Sequence, residues 1–174
     1  MTTDIPTMKK APSFTTGHLD EASLQKIARI MAPWTQAGDI LTLKGTLGAG
    51  KTTFARAFIQ QLSGAEIFVP SPTYTLLQTY DCGDHPLIFH YDFYRLNDPA
   101  EVWELDFDTA LENITLIEWP EKGEGYFLEA TLQLSLLPMG DERQLTLIPP
   151  QTLDPVRWES LMIDLGAFRA PSPL

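Results

Sequence analysis

The clearest chemistry in the chain lies in eight consecutive residues, Gly45-Thr46-Leu47-Gly48-Ala49-Gly50-Lys51-Thr52. They fit G-x-x-x-x-G-K-[ST] at every fixed position, the pattern of a loop that cradles phosphates. Glycines let backbone N–H groups turn inward around phosphate oxygens. A helix opening at Lys51 would aim its positive end at the same anion. The Lys51 ammonium would reach the β- and γ-phosphates, the Thr52 hydroxyl would go to Mg2+, and Thr53 follows in the same turn.

Such a loop works with an acid at a strand end. Two candidates leave apolar runs at their C-terminal ends, where ligands gather in an open α/β sheet. Glu118 follows Ile-Thr-Leu-Ile, and Asp92 follows Leu-Ile-Phe-His-Tyr. A solvated strand-end carboxylate is the plain alternative for each, and the phosphate loop favours the metal-linked reading. Thr73 lies in a turn soon after the loop's helix, a region where NTPases often sense the γ-phosphate. The guanine-reading N-K-x-D and the D-x-x-G that follows a strand in GTP-binding chains are both missing, so ATP is the expected nucleotide. Trp119 reads as core from pattern alone. His90 reads as a packed strand residue rather than a base. Arg95 fits either a cation near the phosphates or a surface ion pair. His18 and His85 carry no signal, and Cys82 has no metal-ligand spacing around it.

The elements that must position these groups follow from spacing. Asp20 caps a helix whose Leu24, Ile27, Ala28 and Met31 fall on one face. Asp39 to Lys44 reads as a buried strand into the loop. Lys51 to Leu62 is a helix with Phe54, Phe58, Ile59 and Leu62 inward, stopped by Gly64. Tyr74 to Tyr80 and Leu87 to Asp92 form a hairpin about Asp81–Asp84. Asp98, Pro99 and Glu101 make a helix start with a capping box. Ile114 to Trp119 is a buried strand, and Thr131 to Leu137 with Gln144 to Ile148 a second hairpin. Trp158, Leu161, Met162 and Leu165 mark a last helix. The expected fold is an α/β, three-layer P-loop NTPase-like domain with a mixed, largely parallel central sheet flanked by helices. Residues 1–13 read as a flexible lead-in, 14–168 as a single domain and 169–174 as a loose tail.

Composition narrows the function. The 174 residues carry 12 Lys and Arg against 23 Asp and Glu, a net charge of −11. That balance is ill suited to gripping a phosphate backbone directly. With 44% apolar residues the chain can bury a core without staples. A single cysteine suits a reducing compartment. The longest run free of Asp, Glu, Lys and Arg, Ile67 to Tyr80, contains Pro70 and Pro72, so no membrane span is expected. The N-terminus shows no apolar signal region. A cytoplasmic location is expected.

Four segments in order, GTLGAGKTTF (45–54), SPTYTL (71–76), HYDFYRLNDPAE (90–101) and LIEWPEKG (116–123), resemble the TsaE family, also called YjeE. The resemblance covers residues 14 to 150 and implies a small P-loop ATPase with weak intrinsic hydrolysis. It implies a role in forming N6-threonylcarbamoyladenosine beside the tRNA anticodon, with TsaB and TsaD as partners. TsaD would carry out carbamoyl transfer, and the ATPase would reset the complex between turnovers, touching tRNA only through it. Carried over by position, Lys51 is the phosphate lysine and Thr52 a magnesium ligand. Glu118 takes the Walker-B-like magnesium role, and Asp92 helps the metal or the attacking water. Trp119 moves from core toward the site. Ser71, Pro72, Thr73 and Tyr74 form a switch-like loop, and the role of Arg95 stays open. Two positions depart from the family. Thr46 stands where many members have Asp, and Leu105-Asp106-Phe107 where a glycine is common. A small-molecule kinase is the competing class, but it needs an arginine-bearing lid, and no Arg-rich insertion lies between the last two site motifs. A nucleotide-gated binder that barely hydrolyses is the other.

Overall fold

A computed structural model describes residues 11–123 and 131–171. Seven strands form one sheet: β1 (Phe14–Thr15), β2 (Ile40–Lys44), β3 (Leu77–Tyr80), β4 (Ile88–Asp92), β5 (Ile114–Glu118), β6 (Thr131–Met139) and β7 (Glu142–Ile148). The helices are α1 (Glu21–Met31), α2 (Lys51–Ser63), α3 (Phe107–Ala110) and α4 (Pro155–Asp164). Strand order is β1-β7-β6-β2-β5-β4-β3. The four central strands β6, β2, β5 and β4 run parallel. β3 closes one edge antiparallel, and β7 with β1 closes the other. The expected mixed α/β sheet is therefore present, with its parallel part at the centre.

Local chemistry explains most boundaries. Asp20 accepts from Ser23 N at 2.8 Å and caps α1. Leu24, Ile27, Ala28 and Met31 form its buried face. Gly64 ends α2 at φ 66°, a left-handed conformation that a glycine adopts without strain. Alternation along the strands splits the interior in two. Leu41, Leu43, Ile88, Leu116, Leu134 and Leu145 face α1, α2 and α4 in one apolar cluster. Ile40, Phe89, Tyr91, Phe93 and Ile117 face the opposite way, against Val102 and Phe107. The Tyr91 hydroxyl donates to the Leu105 carbonyl at 2.8 Å.

Several expectations shift. The strand expected from Tyr74 begins at Leu77. Residues before it are held in a turn, with Leu76 N bonded to Pro72 O at 2.7 Å and Leu76 at φ 63°. The capping box at Asp98 is formed, but it opens only a short 3₁₀ helix, Pro99–Glu104. Asp106 then turns the chain at φ 55°, a conformation Asp tolerates better than most residues. β1 was not expected, because two residues carry no periodicity. The tail is not loose at its start: Arg169 pairs with Thr16, and Ala170 N donates to Thr15 O at 2.9 Å. Of the lead-in, residues 1–10 lie outside the described residues, as do 172–174 of the tail, while Ala11 packs partly on the core. Among the described residues no helix is long and apolar enough to cross a membrane.

Candidate functional site

β2 delivers the chain into the phosphate loop and α2 carries it away, as the motif requires. Gly45 leaves no room for a side chain. A Cβ there would lie 2.8 Å from the Leu136 carbonyl oxygen and 2.9 Å from Ala49 Cβ. Gly48 and Gly50 both have positive φ, 78° and 105°. Ala49 N closes the loop on Thr46 O at 3.1 Å.

Lys51 opens α2 and is 4% exposed. Its ammonium donates to Gly45 O at 2.8 Å and Thr46 O at 2.9 Å. The Trp119 ring centroid lies 4.0 Å from Nζ, a cation–π contact. Burial lowers the lysine pKa from its ordinary value, while Glu118, Asp92 and Glu121 act in the opposite sense. Trp119 is thus not a plain core residue. It follows β5 at φ 57°, a strained conformation for a bulky side chain. The ring of Tyr94 packs 4.9 Å from it.

Parallel pairing sets Asp92 directly beside Glu118, on the α2 face of the sheet. Both are 2% exposed. Thr52 Oγ1 donates to Glu118 Oε2 at 3.0 Å, and His90 Nε2 lies 3.0 Å from Glu118 Oε1. Asp92 Oδ2 is reached by the hydroxyls of Ser71 at 3.0 Å and Thr73 at 2.5 Å, while Oδ1 accepts from Tyr94 N at 2.9 Å. Asp92 therefore pins the loop after α2 to the sheet.

These groups enclose a cleft of about 240 Å³. Leu47, Gly48, Gly50, Lys51, Thr52, Thr53, Ser71, Thr73, Asp92, Glu118 and Trp119 line it as the sequence suggested, joined by Tyr94. Gly45, Thr46 and Ala49 frame the loop behind. Pro72, Tyr74 and Arg95 are not part of the lining. Tyr74 is 81% exposed, and the Arg95 guanidinium stacks on its ring at 4.3 Å. Two residues were underrated from sequence. Tyr94 stands in the HYDFYRLNDPAE segment but was given no role there, and His90 was set aside as packing. Arg143, at the start of β7, carried no signal at all. Its Nε and Nη1 are buried without hydrogen-bond partners among the described residues, and Nε lies 3.9 Å from where a Gly50 Cβ would sit.

The donor set suits a hard cation. A hydroxyl and two carboxylates supply oxygen only, and Lys51 is the nearby countercharge to the two acids. Among the described residues no three His, Cys, Asp or Glu side chains gather to cage a metal. Mg2+ needs no such cage, since it takes one or two carboxylates and completes its shell with water and phosphate oxygens.

Known proteins share this arrangement of elements and motifs. The family model described as threonylcarbamoyl adenosine biosynthesis protein TsaE matches residues 19–145. The tRNA threonylcarbamoyladenosine biosynthesis protein TsaE of Rickettsia felis is 36% identical over 156 residues, 89% of this chain and 86% of that protein. The protein of the same description from Bacillus subtilis is 40% identical over 121 residues, 69% of this chain and 75% of its own. The crystal structure of YdiB from Bacillus subtilis superposes with a TM-score of 0.67 at 29% identity, covering 90% of this chain and 94% of that one.

Proposed function

Because the chain belongs to the TsaE family of threonylcarbamoyl adenosine biosynthesis proteins, we propose that it serves tRNA modification as an Mg2+-dependent ATPase. Its activity alone is weak and rises with TsaB and TsaD, and tRNA is met only through that complex. One observation carries the reading. The Thr52 hydroxyl and the Glu118 carboxylate meet at 3.0 Å at the mouth of the phosphate loop, with Asp92 as the strand neighbour of Glu118. A solvated strand-end acid would not be 2% exposed and bonded to the motif threonine.

The residues divide the work by position. Backbone N–H groups of the loop and the start of α2 bind the phosphates. Lys51 already lies across the loop and supplies the positive charge that phosphates need. Thr52, Glu118 and Asp92 would hold the metal, which would supply positive charge to offset that of the phosphates. Asp92 also anchors Ser71 and Thr73, so a nucleotide that draws on Asp92 also acts on that loop. Trp119 and Tyr94 wall the cleft, with the Trp119 ring over Lys51. The acidic charge of −11 fits a protein that leaves tRNA to its partners.

The test is ATP turnover by the purified chain, alone and with TsaB, TsaD and tRNA, with Lys51→Ala as control. Slow turnover that rises with the partners and vanishes in the variant supports the reading. Turnover indifferent to the partners refutes the accessory role and points to a stand-alone phosphotransferase.

A further inference from the structure

We propose that His90 is a positioning residue: its Nε2–H orients the Glu118 carboxylate toward Thr52 for metal binding. The inference rests on the function proposed above and deepens it. His90 lies in β4 and is 0% exposed. It sits two residues before Asp92 and opposite Leu116 of β5, so it shares the α2 face with Asp92 and Glu118. An apolar side chain would fill this place without desolvating a polar ring. The compensation visible in the structure is the 3.0 Å contact with Glu118 Oε1.

The ring has a definite proton arrangement. His90 Nδ1 is buried and, among the described residues, without a hydrogen-bond partner. An N–H there would be an unpaired buried donor, which costs its whole desolvation penalty. The proton therefore sits on Nε2 and is donated to Glu118, which accepts as a carboxylate. The other carboxylate oxygen accepts from Thr52. Glu118 is thus held from both sides, by the strand beside it and by the first turn of α2. Of its two partners, Thr52 is itself assigned to the metal, and His90 is not. The ring does not line the cleft, so it acts through Glu118 and does not touch the reacting atoms. Partners that orient metal-binding carboxylates commonly contribute 10- to 100-fold to metal affinity or activity.

The experiment compares wild type, His90→Leu and His90→Gln in the full chain. ATP binding is measured by calorimetry in EDTA and across a Mg2+ titration. His90→Leu is expected to bind ATP in EDTA within about threefold of wild type, yet to require roughly 10–100-fold more Mg2+ for half-maximal effect. His90→Gln keeps an N–H donor and is expected to recover most of the loss. An unchanged Mg2+ requirement in His90→Leu, or a His90→Gln variant no better than it, overturns the proposal. The 15N spectrum of the native imidazole gives a readout that needs no His90 variant. A ring protonated at Nε2, with resonances that move in Glu118→Gln, is expected. An Nδ1-protonated ring, or one indifferent to Glu118→Gln, overturns the proposal. Should wild type show no Mg2+ effect on ATP binding, the ATPase reading fails by itself, and the ring spectrum still decides the role of His90.

Discussion

Replacing Gly45 by alanine tests the geometry of the phosphate loop against its sequence motif. The new Cβ would sit 2.8 Å from the Leu136 carbonyl oxygen in β6 and 2.9 Å from Ala49 Cβ. Neither neighbour can swing aside, since one is backbone and the other is fixed to it. The loop itself must shift. Overpacking of this kind costs about 1–3 kcal/mol, and a positive φ for an L residue adds about 1–2 kcal/mol. At about 2–4 °C per kcal/mol for a chain of this size, Gly45→Ala should melt roughly 10 °C lower. The shift also displaces the carbonyl that holds Lys51 at 2.8 Å. ATP affinity should fall with it. Gly48→Ala is the control. Gly48 also has positive φ, at 78°, but no atom of the described residues lies within 4 Å of its Cβ position. It should lose only about 1–2 kcal/mol, roughly 4 °C. Thermal melts and ATP calorimetry on both variants decide the matter. Equal losses in the two would refute the reasoning, because they would show that the clash with β6 has no consequence.

Removing either acid should separate binding from turnover. Glu118→Ala and Asp92→Ala are expected to lose at least about tenfold in partner-stimulated ATP hydrolysis and far less in ATP binding measured in EDTA, and wild-type hydrolysis in both would remove them from the site. Asp92→Ala should also free the loop at Ser71 and Thr73, seen as faster amide exchange there. Trp119→Ala removes the ring over Lys51, a contact worth about 0.5–2 kcal/mol, so ATP affinity should change by roughly three- to thirtyfold; calorimetry reads this directly. Tyr91 gives a pH test. Its burial, with Asp106 adding to the effect, raises its pKa above the ordinary 10.0. Above that pH the unfolded chain releases a proton that the folded chain retains, so stability falls as pH rises. Tyr91→Phe should cost about 1 kcal/mol at neutral pH through the lost bond to Leu105. Urea unfolding should then show a shallower decline than wild type above about pH 10.

What could be read from the chain alone was local. The phosphate loop needs glycines, a lysine and a threonine at fixed offsets along a few residues, and all stand in one decapeptide. The Asp20 cap, the apolar face of α1 and the Gly64 stop depend on neighbours within one or two helical turns. The strands β4 and β5 were visible as apolar runs ending in acids, so Asp92 and Glu118 could be named as candidates. Their chemistry could not. Whether an acid at a strand end faces the loop or the opposite side depends on register, and a slip of one residue reverses every side chain. Parallel pairing of β4 with β5 puts Asp92 beside Glu118 and His90 within reach of it. Placing β5 next to β2 brings Glu118 to Thr52, a residue 66 positions away in the chain. The same register turned His90 from an apparent packing residue into a buried partner of Glu118, and the turn at φ 57° after β5 laid Trp119 over Lys51. The sequence alone determined the phosphate-loop motif and named the two candidate acids. Only the tertiary structure decided which groups touch them, because those contacts come from strand order and register and from no local property of the chain.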